Sequence, residues 1–283
     1  MKKTVEYLKY FICGIVFGVA NVIPGVSGGT MLVVFGVFDR LTEAISGIKK
    51  IFANLAFLVT FALGAGAGIL LSAKVIGSMF ETYAIQTNMF FIGLILGGVP
   101  LIIRFGTEGK RIKPLCAVPF VISMAVVVGF TVLERLELFT MSADSVAGFD
   151  IVFSLKMVVC AAIAAVTMII PGISGSFMMM LLGVYETIIG ALNDMNFYVI
   201  IPFAIGAVIG IMFGAKLISV LIGKNKLMVY SAILGMVIGS VYAVLPEGFG
   251  FNLQTGYGFA FMLAGVLVSV LLDKLNGAEK ADG

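Results

Sequence analysis

Two short stretches decide how this chain is read: Pro24-Gly25-Val26-Ser27-Gly28-Gly29 and Pro171-Gly172-Ile173-Ser174-Gly175-Ser176, which superpose without a gap at an offset of 147 residues. The same offset lays Gly36-Val37-Phe38-Asp39 on Gly183-Val184-Tyr185-Glu186. Past a loop five residues shorter in the second copy the offset becomes 142, and it then places Gly64, Gly68 and Lys74 on Gly206, Gly210 and Lys216, and Gly93 and Gly97 on Gly235 and Gly239. An ordered series of this kind marks an internal duplication. Proline has no amide hydrogen and clashes with the preceding turn, while glycine tolerates positive φ, so each Pro-Gly pair is expected to stop a helix.

The surroundings of these breaks are greasy. Hydrophobic residues make up 61% of the 283 positions and charged residues 12%, too few to clothe a water-soluble domain. Uncharged runs of 18 or more residues are long enough to cross a hydrocarbon core of about 30 Å. A net charge of +3 is too small to point to nucleic acid; the basic residues matter through their placement. The N-terminus, with Lys2 and Lys3 before an apolar run from Tyr10, has the outline of a cleaved signal peptide. A similar run, Val158 to Ala165, approaches the second Pro-Gly deep inside the chain, so the first is expected to belong to the mature protein. Cys13, Cys116 and Cys160 have neither metal-site nor paired spacing and read as small buried residues.

The charged boundaries become coherent when each Pro-Gly segment is a re-entrant hairpin. From Lys9 to Pro24 the chain offers about 14 helical residues, roughly 21 Å, a poor fit to a full crossing. The expected fold is an all-α polytopic membrane protein of two inverted-topology repeats, each a re-entrant helical hairpin plus three transmembrane helices. Repeat 1 covers 1–133, with a hairpin at 5–46 and spans near 52–73, 85–103 and 114–133. An extracytoplasmic linker follows at 134–150. Repeat 2 covers 151–272, with a hairpin at 151–192 and spans near 197–215, 228–245 and 256–272, and a cytoplasmic tail closes the chain at 273–283. This path puts 15 of the 18 lysines and arginines in the cytoplasm and leaves Lys74, Arg135 and Lys156 outside. Making each Pro-Gly segment a crossing helix would move Lys110 and Lys113 to the side opposite Lys2 and Lys3.

Broken backbone at membrane depth needs shielding by protein or a watery cavity, so the two tips are expected to face each other inside the molecule. Free amides at the restarting helices suit an anion. The candidate substrate-binding residues are Asn21, Pro24, Gly25, Ser27, Gly28, Gly29 and Thr30 in the first tip, and Pro171, Gly172, Ser174, Gly175 and Ser176 in the second; each also reads as part of a plain helix cap. Lys74 and Lys216 either snorkel at helix ends or attract an anionic headgroup. Asp39 and Glu186 either sit at the interface as ordinary acids or carry a coupling ion. The Gly-xxx-Gly pairs read as helix packing, and Met178 to Met180 as core filling. No cofactor or metal is expected.

The string from Gly18-Val19-Ala20-Asn21 through Gly28-Gly29-Thr30, with its partner Pro171 to Ser176, resembles the PopT family over nearly the whole chain. That resemblance implies a flippase returning undecaprenyl phosphate, a polyprenyl-phosphate lipid carrier, from the outer to the inner leaflet of the bacterial inner membrane. Phosphatases of the BacA type are similar in their inverted hairpins and Pro-Gly-x-Ser-Arg-Ser motif, and supply the competing enzyme reading. Here the arginine position holds Gly28 and Gly175, no Glu-xxx-Glu pair occurs, and the chain lacks histidine, so no enzymatic activity is expected. Transport of a small soluble anion is the other alternative.

Overall fold

In the computed structural model, residues 2–22, 28–109, 111–136, 150–245 and 253–281 are described. They are helices and turns, with no strand among them. The elements are α1 (Lys2–Val22), α2 (Gly28–Val34), α3 (Phe38–Ala44), α4 (Ile48–Ala53), α5 (Leu55–Thr107), a 3-10 turn (Pro114–Cys116), α6 (Ala117–Arg135), α7 (Ile151–Ile169), α8 (Gly175–Leu181), α9 (Tyr185–Asn193), α10 (Phe197–Val244) and α11 (Leu253–Ala281).

Four described helical stretches are long and apolar enough to cross a membrane: Thr82–Thr107, Pro114–Leu133, Ile151–Ile169 and Phe197–Val244, with shorter apolar stretches at Leu55–Leu70 and Gly256–Leu271. The chain is an all-α, multi-pass membrane protein. Its surface pattern gives the physical reason. Along the first limb of α10, Ile201, Ile205, Val208, Ile209 and Phe213 face outward while Gly206, Gly210 and Gly214 are buried against α7. A stripe of large apolar side chains turned away from the protein is stable against acyl chains and costly against water.

Both long helices break once. In α5 the break is Tyr83 (φ −133°, ψ 42°) and in α10 it is Asn225 (φ −153°, ψ 79°), positions again 142 apart. The helices therefore run past Lys74 and Lys216, where ends were expected at 73 and 215, because neither following stretch contains a proline that would stop them. The limbs then correspond in order: α1 with α7, α2 with α8, α3 with α9, α5 with α10, and α6 with α11.

Glycine packing repeats with the same arithmetic. A Cβ on Gly64 would lie 2.2 Å from the Phe11 carbonyl oxygen and one on Gly68 2.2 Å from that of Ile15, so α1 and α5 touch backbone to backbone. At the shifted positions Gly206 meets the Val158 carbonyl at 2.1 Å and Gly210 that of Ala162 at 2.3 Å. The last helix of each half is exchanged: Gly93 and Gly97 of α5 receive Met262 and Val266 of α11, while Gly235 and Gly239 of α10 receive Phe120 and Met124 of α6. The Gly-xxx-Gly pairs are packing devices, as their spacing predicts.

The turn after each short helix is also duplicated. Gly36 (φ +67°) and Gly183 (φ +70°) take the left-handed conformation that closes α2 and α8. The Val37 amide donates to the Leu32 carbonyl and that of Gly36 to Val33; Val184 to Met179 and Gly183 to Met180 repeat the pattern, a Schellman closure in both halves. From that turn α3 comes back alongside the beginning of α1: Arg40 hydrogen-bonds Glu6 at 2.8 Å and the Tyr10 hydroxyl, and stacks over the Tyr10 and Phe57 rings. In the second half Val184, Ile188 and Ala191 pack with Phe153 and Met157 of α7. From Tyr10 to Val22, α1 covers about 18 Å at 1.5 Å per residue, with α3 beside its beginning.

Candidate functional site

The start of α2 and the end of α7 meet inside the molecule. A Cβ on Gly29 would lie 3.2 Å from the Ile169 carbonyl oxygen, 3.3 Å from that of Met168 and 3.5 Å from Pro171 Cα, so the start of α2 rests on the end of α7. Pro171 is fully buried, and Gly172 (φ +85°) presses against the Met236 carbonyl of α10 and Val127 of α6. A side chain at Gly29 would require the end of α7 to give by a few tenths of an ångström, and one at Gly172 would press into the backbone of α10. The contact joins Gly29 with Met168, Ile169 and Pro171, with Gly28 and Thr30 flanking Gly29 along the chain and Gly172 following Pro171; Pro24, Gly25 and Ser27 lie outside the described residues.

The polar groups differ between the tips. Thr30 is completely buried and its hydroxyl has no hydrogen-bond partner among the described residues. Asn21 is exposed and spends Nδ2 on the Phe17 carbonyl at 2.7 Å, back along its own helix. Gly28 fits closely beneath that amide: an added Cβ would sit 2.3 Å from Asn21 Nδ2. In the second tip the hydroxyls of Ser174 and Ser176 are 2.7 Å apart, Ser176 is exposed, and the Ser174 carbonyl accepts from the Met178 amide as α8 begins. Gly175 is looser than Gly28, with Met168 Cβ 3.2 Å from an added Cβ.

The remaining candidates lie elsewhere. Glu186 is exposed at the start of α9. Asp39 begins α3 with Oδ1 buried, beside the Tyr230 hydroxyl. Lys216 is exposed and shares a shallow depression with Lys49 and Lys50. Lys74 lies within α5, in a stretch whose side chains are not described.

One feature was missed by sequence reasoning. A cavity of about 650 Å³ opens where α3 returns to α1, lined by Lys9, Arg40, Arg104 and Lys226 with Asp39, Glu108, Phe105 and Tyr230. Its cations come from four distant places and had each served only as a marker of membrane side. Lys226 pairs with Glu108 at 2.7 Å and lies over the Tyr230 ring. Hydrogen bonds from Tyr10 and from Arg40 hold the Glu6 carboxyl below its ordinary range, so the Arg40 pair stays charged at neutral pH.

Residues 17–255 match the family model described as VCA0040-like, undecaprenyl phosphate translocase-like. The chain is 30% identical over 260 residues to the polyprenyl-phosphate transporter of Vibrio cholerae serotype O1, covering 86% of this chain and 79% of that protein. It is 26% identical over 280 residues to the polyprenyl-phosphate transporter of Staphylococcus aureus, covering 94% and 96%. No solved structure matches it.

Proposed function

The chain belongs to the VCA0040-like, undecaprenyl phosphate translocase-like family, and from that premise we propose that it carries undecaprenyl phosphate from the outer to the inner leaflet of the bacterial inner membrane by alternating access. The two halves act as inverted units, each hairpin entering from its own face, with the cation-rich end in the cytoplasm. Recurrence of the glycine contacts, the Schellman turns and the helix breaks at two fixed offsets supports paired units of one design. The relatives it matches are named transporters, which fits transport rather than catalysis.

The observation that carries the site is the Thr30 hydroxyl, buried without a partner among the described residues and next in the chain to Gly29, which rests on the end of α7. An unsatisfied buried hydroxyl costs about 1–3 kcal/mol, a cost that a phosphate oxygen would remove. The backbone amides at the starts of α2 and α8 and the Ser174 and Ser176 hydroxyls add donors without placing a fixed charge in the bilayer. The headgroup exchanges its water for these groups while the isoprenoid tail stays in lipid along the apolar outer face. Rocking of the halves about the tips then opens the site to one side at a time.

The test is leaflet exchange. Purified protein in liposomes should make undecaprenyl phosphate loaded in one leaflet accessible from the other, and Thr30→Val should slow this at least about tenfold while the protein stays folded. Free phosphate should compete weakly. Strong uptake of free phosphate with no lipid movement would replace the substrate, and steady release of phosphate from undecaprenyl pyrophosphate would replace transport by hydrolysis.

A further inference from the structure

The cavity at the returning end of the first hairpin has a chemistry the transport reading does not use. Four cations, Lys9, Arg40, Arg104 and Lys226, surround it against two acids, Asp39 and Glu108. Glu6 pairs with Arg40 from outside the lining, and the cluster still keeps an excess of one positive charge, which attracts a phosphomonoester carrying about −1.5 to −2 near neutral pH. The cations are held in place: Arg40 by Glu6 and two aromatic faces, Lys226 by Glu108 and the Tyr230 ring. A prearranged guanidinium loses little freedom when it takes a phosphate.

Its position is equally specific. Val33 forms part of the wall and lies one turn beyond Thr30 on α2, about 4.5 Å along the axis. One short helix therefore carries the tip at its start and the cavity at its end. The other half has no such arrangement. At the two offsets, Lys9, Arg40, Arg104 and Lys226 correspond to Lys156, Thr187, Pro246 and Ala84, leaving a single cation.

We propose that this cavity is a second, one-sided phosphomonoester site that takes over the headgroup from the tips at the cation-rich face. It rests on the transport reading for the headgroup's arrival. Unequal affinity at the two ends shapes the order of binding and release and supplies no gradient of its own. Glu108 competes with the phosphate for Lys226, and entry of the headgroup displaces it.

Binding of geranyl monophosphate and of inorganic phosphate to the purified full chain in micelles, followed by calorimetry, tests this. The double variant Arg104→Gln/Lys226→Gln should weaken both probes at least about tenfold, Glu108→Gln should tighten both about threefold by freeing Lys226, and Lys156→Gln should change neither. The opposite signs keep a folding defect from imitating the result. Unchanged affinity in both the double variant and Glu108→Gln would overturn the site, and loss confined to inorganic phosphate would overturn it as a lipid-headgroup site. Leaflet exchange by the wild type in liposomes is scored separately, so failure of transport and failure of this cavity give different outcomes.

Discussion

The two hairpins have one backbone design and two chemistries. Each follows a long helix, α1 or α7, with a seven-residue helix that closes on a left-handed glycine, Gly36 or Gly183. Yet the first buries an unpartnered threonine and opens onto a cavity with four cations, while the second pairs two serine hydroxyls near the surface. Phe177 stands where Thr30 does, and Thr187 where Arg40 does. Duplication kept what folds the hairpin. The polar groups at corresponding positions differ.

The packing glycines should show the largest effects and no asymmetry. Gly64→Val and Gly206→Val would each drive a side chain into a carbonyl about 2 Å away, an overpacking cost of about 3 kcal/mol against backbone that has little room to yield. Both should abolish a monodisperse peak in size-exclusion chromatography. Survival of one but not the other would break the equivalence of the halves.

The tips should differ. Thr30→Val removes an unsatisfied hydroxyl at nearly constant volume, so thermal denaturation should show equal or greater stability, by up to about 1 kcal/mol, while lipid exchange falls. Ser174→Ala/Ser176→Ala should reduce exchange only about threefold, since those hydroxyls already satisfy each other near solvent. A loss for the serine pair as large as for Thr30 would make the tips chemically equal.

The glycines inside the motif give a smaller, graded contrast. Gly28→Ala should destabilise by about 1–2 kcal/mol because its methyl meets Asn21, and Asn21→Ala in the same chain should restore part of it. Gly175→Ala, with Met168 able to shift, should cost less than about 1 kcal/mol. Melting curves of the four proteins measure this. Smallest of all, Glu6→Gln should cost about 0.5 kcal/mol, since the Arg40 pair is half exposed.

The repeat was legible because proline and glycine leave marks that sequence preserves: Pro171-Gly172, Gly36 and Gly183, and the packing pairs stand at turns or close contacts of the backbone. Cys13, Cys116 and Met178 are buried, as their apolar surroundings imply, whereas Cys160, Met179 and Met180, read the same way, are only partly buried. Other features left no such mark. Tyr83 and Asn225 break their helices without proline or glycine, so the ends of those helices were misjudged. The exchange of α6 and α11 between halves depends on which surface meets which, and an offset gives order along the chain but no partner. The cavity was hidden because positions 9, 40, 104 and 226 become neighbours only after folding, and each cation alone reads as a marker of membrane side.

The central claim is that the matched hairpins enter from opposite faces, and Ser46 and Asn193, which follow the two hairpins at an offset of 147, test it most directly. In a chain freed of Cys13, Cys116 and Cys160, a cysteine at Asn193 should react with an impermeant thiol reagent added to intact cells, and one at Ser46 should react only after permeabilisation. Labelling of both positions from the same side would contradict the inverted arrangement and the alternating-access mechanism built on it.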